Sequence, residues 1–183
     1  SDKLSFLGYG TQKVEAELSG TLPDMKLMRM DADTTSKKGS HEEILQAFAE
    51  GEADILIGTQ MVTKGHDFPD VTLVGVLSAD ALLYQDDYRA SEKAFSLITQ
   101  VIGRAGRGDK PGRAVIQTYN PEHEVLRLAA AQDYESFYEG EIALRRELSY
   151  PPCCDMVQLT LTSDSEDSLT AASKELSARI EEK

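Results

Sequence analysis

Several things are missing from this chain, and each absence removes a class of function. No apolar run approaches the length needed to cross a bilayer, and the opening Ser1-Asp2-Lys3 has none of the layout of a secretory signal. The expectation is a soluble, cytoplasmic protein with no membrane partner. Its two cysteines, Cys153 and Cys154, are adjacent, so they provide neither a disulfide framework nor a Cys-x-x-Cys metal half-site. They are expected to be inert reduced thiols. His41, His66 and His123 are too scattered to form a metal centre, and none is expected in this chain. Positive charge is also scarce: 19 Lys and Arg stand against 32 Asp and Glu, a net charge of −13. Phosphate affinity comes from clustered Lys and Arg, so a broad nucleic-acid clamp is excluded and any DNA contact must be local. The rest of that charge reads as a solvated acidic surface. Neither a Gly-x-x-x-x-Gly-Lys-Ser/Thr loop nor an acidic metal-binding box occurs, so the groups that hold a triphosphate and its magnesium are absent.

What remains is globular. Apolar residues make up 40% and charged residues 28% of 183 positions, with no low-complexity tract, enough for one domain and part of a second. Up to Tyr119, short apolar runs alternate with amphipathic stretches, the pattern of a parallel sheet wrapped by helices. Strands are expected over Leu4 to Leu7, Lys26 to Met30, Asp54 to Ile57, Thr72 to Leu77 and Arg113 to Thr118. Ser40 and Glu43 have capping-box spacing ahead of Ile44, Leu45 and Phe48, and Gly51 can close that helix. A longer helix is expected from Asp87 to Arg107, where Phe95, Ile98, Ile102 and Ala105 recur at helical spacing, followed by helices from Glu122 to Ala131 and Tyr134 to Leu148. Tyr150-Pro151-Pro152 then favours an extended linker, placing a boundary between residues 1–151 and 152–183. Beyond it, Met156 to Leu161 alternates as a strand and Ser165 to Glu181 reads as a helix, a βα pair too small to close a core.

Two segments carry chemistry. In Gln100-Val101-Ile102-Gly103-Arg104-Ala105-Gly106-Arg107, a helix would put Gln100, Arg104 and Arg107 at i, i+4 and i+7 on one face, opposite Ile98 and Ile102. Two guanidiniums and an amide aimed together suit a polyanionic oxygen cluster such as a nucleotide phosphate. Gly103 and Gly106 weaken a helix by about 1 kcal/mol each relative to Ala, so close backbone approach explains them better than helix stability. The other segment runs from the strand Ile55-Leu56-Ile57 into Gly58-Thr59-Gln60-Met61-Val62-Thr63-Lys64-Gly65-His66-Asp67-Phe68-Pro69. It offers backbone N–H groups and a hydroxyl at a strand's carboxyl end, where open α/β sheets bind ligands. Lys64 adds a point charge, and Gly65 allows the bend that would return Asp67 to the same crevice. Gly-Thr after a strand also suits a simple turn. Thr11 suits either a helix cap or a phosphate contact through the helix start. Arg29, Asp31 and Asp33 suit either a DNA-facing loop or a turn held by side-chain hydrogen bonds. Asp86, Asp87, Arg89 and Glu92 read as surface charge around a helix start.

In this order the two segments resemble motifs V and VI of superfamily 2 helicases. The resemblance is closest to the replication-restart DNA helicases through Gly8 to Glu15, Arg29 to Thr35, Gly58 to Val74 and Gln100 to Arg107, and it extends from about Leu7 to Pro152. It implies an α/β, RecA-like lobe, the second of two, without its N-terminal strand and followed by a truncated α+β piece. Such a lobe closes on ATP and Mg2+ held by the N-terminal helicase lobe, and the whole moves 3′→5′ on single-stranded and forked DNA among other primosome proteins. The resemblance makes Arg107, with Arg104 beside it, the arginine finger and Gln100 a γ-phosphate contact. It puts Gly65 and Asp67 near the nucleotide, and Gly58, Thr59 and Lys64 against the DNA backbone. A cysteine-rich zinc element belongs upstream of Ser1 in that family, and Cys153 stands where an aromatic is usual. The chain is therefore expected to be inactive alone. The competing reading is a non-hydrolysing scaffold that docks primosome partners or DNA through a helicase-like fold.

Overall fold

The computed structural model describes residues 10–35, 39–63, 68–103, 105 and 111–181. The strand expected over Leu4 to Leu7 lies outside them. The four other expected strands form: β1 (Leu27–Met30), β2 (Ile55–Gly58), β3 (Leu73–Val76) and β4 (Arg113–Ile116). All pairing is parallel, β1 with β2 in the register Leu27↔Ile55 to Met30↔Gly58, and β3 with β4 from Leu73↔Arg113 to Val76↔Ile116. Among the described residues these are two separate two-stranded ladders. Each is a strand–helix–strand unit, because parallel neighbours need a crossover that returns the chain to the same end of the sheet.

The chain divides into two compact units, residues 1–142 and 143–183. In the first, α1 (Thr11–Thr21) and α2 (Ser40–Ala49) pack on β1, while α3 (Asp80–Leu83), α4 (Ala90–Ile102) and α5 (Glu124–Ala131) gather around β3 and β4. Two apolar clusters result. Met30, Leu45 and Phe68 are buried beside β1, with the Phe48 and Phe68 rings edge to face at 5.1 Å. Ala94, Phe95 and Ile98 of α4 meet Val125, Leu126 and Ala129 of α5 beside β3 and β4, as the helical spacing of these residues requires. The other face of that strand pair is open, with Leu73 and Val115 exposed, so this ladder is amphipathic and not the doubly covered strand pair of a closed parallel sheet.

Local chemistry alters two expectations and meets a third. The α2 start is capped not by Ser40, which is already the first helical residue, but by Gly39 at φ 94°, whose carbonyl accepts the Glu43 N–H. The Ser-x-x-Glu spacing is present, but a positive-φ glycine ahead of it takes the cap. The α2 end is as expected: Gly51 at φ 80° donates to Phe48 O and Glu52 donates to Ala47 O, the paired bonds of a Schellman ending. The helix expected from Asp87 to Arg107 is shorter at both ends, Ala90 to Ile102. Asp87 captures the Arg89 N–H at 2.9 Å before the helix begins, and by Ala105 the chain has tightened into a turn, its N–H on Ile102 O.

α6 (Tyr134–Glu147) begins in the first unit and ends in the second, ahead of the Pro151-Pro152 step that the sequence marks as a boundary. In the second unit the Tyr150 N–H returns to Arg145 O, and the Arg145 guanidinium donates to Pro151 O at 3.2 Å, winding the chain into a turn. Both cysteines are free. Met156 to Leu161 does not form the expected strand; it has no regular secondary structure and is exposed, Val157 to 82%. Alternation specifies which face of a strand would be covered but cannot supply the neighbour that completes a ladder. Helix α7 (Glu166–Glu181) matches the expected span, starts at Ser165, whose carbonyl accepts the Leu169 N–H, and buries none of its residues. No helix among the described residues is long and apolar enough to cross a membrane.

Candidate functional site

The carboxyl ends of β1 and β2 lie side by side, since Met30 is in register with Gly58. Gly58 is required there by contact. A Cβ on it would lie 2.5 Å from Val62 Cγ2 and 2.8 Å from Met30 O. The chain then passes through Thr59, which is exposed, into a 3₁₀ turn (Gln60–Thr63) closed by the Val62 N–H on Thr59 O. That turn re-aims the backbone away from the strand and presents Gln60 outward.

At the end of β1, Asp31 is 7% exposed and almost saturated with partners. Its Oδ1 accepts the N–H groups of Asp33 at 3.1 Å and Thr34 at 3.0 Å, and its Oδ2 accepts the Thr11 hydroxyl and the Arg29 guanidinium. Arg29 Nε is also paired with Glu15 at 3.0 Å. The Thr11 hydroxyl, the Thr34 N–H and the Arg29 charge together hold the Asp31 carboxyl down to about 2, against the opposing effect of burial. The side-chain-held turn expected of Arg29, Asp31 and Asp33 is formed. Thr11 is the first residue of α1 and does not cap it. Its hydroxyl is given to Asp31, which brings its own negative charge to the helix start, where an anion would otherwise be favoured.

The 3₁₀ turn, α3 and α4 enclose an open cleft of about 510 Å³, lined by Gln60, Leu82, Gln85, Glu92, Lys93, Ser96, Leu97 and Gln100. The two sequence segments that carry chemistry thus meet: Gln60 follows Thr59 in one, and Gln100 opens the other. The Gln100 amide nitrogen donates to Ser96 Oγ at 3.3 Å, and that of Gln85 to Ala81 O at 3.3 Å. The Lys93 ammonium is paired with Asp87, whose carboxylate also accepts from Arg89 Nε at 3.3 Å. Donation from Lys93 first, then from the Arg89 N–H and guanidinium, pulls the Asp87 carboxyl well below the usual range. Across the adjoining ladder Asp80 accepts the Thr118 hydroxyl at 3.0 Å and the Tyr119 N–H at 3.1 Å, locking α3 to the chain after β4. Burial opposes the charge on Asp80, yet the Tyr119 and Thr118 hydrogen bonds win and lower its carboxyl. His123 packs edge-on to Tyr84, with ring centres 6.3 Å apart, at the start of α5.

Of the residues singled out from sequence, Gly58, Thr59 and Gln100 stand where the fold brings these segments together. Lys64, Gly65, Asp67, Arg104 and Arg107 lie outside the described residues, as does His66. Because α4 stops at Ile102, helical spacing no longer argues that Gln100, Arg104 and Arg107 share one face. Among the described residues no cluster of three His, Cys, Asp or Glu side chains could hold a metal ion. Sequence reasoning missed Gln60, Gln85, Lys93 and Ser96 as neighbours of Gln100. Ser96 at i−4 and Lys93 at i−7 were visible from helical spacing, whereas Gln60 and Gln85 were not.

Strand β2 thus ends at Gly58, a turn leaves it after Thr59, and α4 faces that turn across a shared cleft. Residues 6–109 match the model of the helicase conserved C-terminal domain, more than half of the chain, and the chain belongs to that family. Within it, the similarity is to replication restart protein PriA: 56% identity with the Bacillus subtilis protein over 164 residues, 90% of this chain and 20% of that protein. The Synechocystis PriA is 46% identical over 91% of the chain, and the Thermotoga maritima PriA 38% over 84%. The chain spans about a fifth of the length of these curated relatives, covering 20% of the Synechocystis protein and 21% of the Thermotoga one.

Proposed function

We propose that the chain is the second, RecA-like motor lobe of an ATP-dependent 3′→5′ DNA helicase of replication restart, inactive without the lobe that carries the P-loop. The carrying observation is the cleft that Gln60 and Gln100 line together, because a motor needs its strand-end segment and its arginine segment within reach of one ligand. In this reading Arg107, assisted by Arg104, supplies the finger that steadies charge on the transferring phosphoryl group, and Gln100 meets the γ-phosphate. Gly65 and Asp67 approach the nucleotide, while Gly58, Thr59 and Lys64 face the DNA backbone. ATP and Mg2+, bound in the complete protein, supply the phosphoryl-transfer energy and the neutralising charge; zinc belongs to an upstream element.

The described part of the cleft fits the rim of a triphosphate, not its cradle. Its polar lining can donate from the Gln100 amide and Lys93, but Glu92 lies among them and opposes an anion. That imbalance supports a site completed by another lobe. The partners that follow are the N-terminal helicase lobe, single-stranded and forked DNA, and other primosome proteins. Residues 1–151 form the lobe, and residues 152–183 open a C-terminal α+β domain.

The test is DNA-stimulated ATP hydrolysis by the full-length protein carrying Arg107→Ala. The expected result is near-normal ATP binding with kcat lowered by about 10³, roughly 4 kcal/mol of barrier, and little rescue by Lys, which lacks the planar fork. Near-normal turnover would remove the finger assignment and leave Arg104 as the next residue to test. Absence of DNA-stimulated ATP hydrolysis by the unsubstituted full-length protein would favour the scaffold.

A further inference from the structure

Helix α6 carries two tyrosine rings that the fold leaves more than half exposed. Phe137 anchors the helix, its ring stacked on Phe95 of α4 with centres 4.1 Å apart and planes 10° apart. Tyr134 and Tyr138, one turn apart, project outward and are 62% and 51% exposed. Their rings are 6.2 Å apart and inclined by only 26°, and the Tyr134 ring leans on Phe95 at 6.2 Å. The two therefore form a preset platform whose orientation is held by the buried ring below it. Such an i,i+4 pair adds only a few tenths of a kcal/mol to the helix, and its exposed ring faces stay open to stacking by another molecule.

The charge around the pair selects its occupant. Between Arg127 and Arg145 the chain has no Lys or Arg, while Asp133, Glu135, Glu139 and Glu141 all fall in that interval. Glu135 and Glu139 are exposed beside the tyrosines. Carboxylates flank the rings along the helix and disfavour a phosphate backbone, so nucleic acid does not suit the pair. A guanidinium does: it lies flat on a phenol face, and its N–H edge reaches the flanking carboxylates, which a compact ammonium cannot do simultaneously. We propose that the Tyr134–Tyr138 face of α6 is a docking surface for an arginine-containing segment of a partner protein. This surface stands apart from the cleft and does not depend on the motor reading.

The experiment measures fluorescence anisotropy of a labelled peptide of alternating arginine and glycine titrated with the full-length protein. The expected result is binding that weakens about tenfold when Tyr134→Ala and Tyr138→Ala are combined, two exposed cation–π contacts together accounting for that factor. Tyr134→Phe with Tyr138→Phe should keep most of the affinity. A lysine–glycine peptide should bind the wild type more weakly than the arginine peptide and bind the double Ala variant no differently. Tyr134→Leu with Tyr138→Leu retains apolar bulk against Phe95 but removes the π faces, so it should lose affinity even if the Ala pair is poorly folded. The proposal is overturned if the wild type does not bind the peptide, if the Leu pair binds as tightly as the wild type, or if lysine serves as well as arginine. It is equally overturned if an oligothymidine binds the wild type and is lost with the same substitutions, which would make the platform a nucleic-acid site.

Discussion

Gly58→Ala isolates a steric requirement that the sequence shows only as a glycine after a strand. The added methyl would sit 2.5 Å from Val62 Cγ2 and 2.8 Å from Met30 O. The Val62 methyl can swing away at small cost, but Met30 O is backbone in the neighbouring strand and cannot retreat without disturbing the Met30↔Gly58 register. Overpacking of this kind costs about 1–3 kcal/mol. Replacing glycine by alanine returns roughly 0.4–1 kcal/mol by narrowing the unfolded ensemble, leaving a net loss on the order of 1–2 kcal/mol. For a protein of this size that lowers the thermal midpoint by about 2–8 °C, measurable by calorimetry or by circular dichroism. Gly75→Ala is the control, because nothing lies within 4 Å of its Cβ position. Gly140→Ala, within α6 and equally unobstructed, should stabilise by up to about 1 kcal/mol. If Gly58→Ala melts with the wild type, the close approach to Met30 is not a constraint, and the glycine is there for a ligand.

The other expectations are smaller in scope. Asp31→Asn should lower the melting temperature near neutral pH. The Asp31 carboxyl is held down to about 2, so the stability from its charge is complete above the ordinary aspartate range and is lost as pH falls through the folded value. The wild-type and variant melting profiles should therefore converge toward pH 2, and profiles that stay parallel down to that pH would show that the charge is not what Asp31 contributes. Lys64→Ala in the full-length protein should flatten the dependence of log DNA affinity on log salt by roughly 0.7 if it neutralises one phosphate of a single strand. An unchanged slope would make Lys64 a structural residue. Asp87→Ala should leave the fold intact but fray the start of α4, seen as faster amide exchange around Arg89 to Lys93, since Asp87 receives the Arg89 N–H, the Arg89 guanidinium and Lys93. Undiminished protection there would show that helix packing alone fixes the start.

By itself the sequence determined the elements whose signals are local. Apolar runs bounded by turn residues located four of the expected strands within a residue or two, and Gly51 stopped α2 because only a residue free to take positive φ makes that ending without strain. The family, too, is written in the chain, since Gly58 to Val74 and Gln100 to Arg107 carry their motifs without reference to any fold. Tertiary structure decided whatever depended on a distant partner. Thr11 reads as a helix cap until Asp31, twenty positions away, takes its hydroxyl. Met156 to Leu161 alternates as a strand should, yet a ladder needs a second chain segment beside it. Gly58 is explained only by Met30 across the ladder, and Gln60 becomes a neighbour of Gln100 only because the turn after β2 and the polar side of α4 border one cleft. Periodicity constrains which face of an element is buried, since that follows from backbone geometry within the element. It carries no information about which other element supplies the contact, and in this chain those contacts define the site.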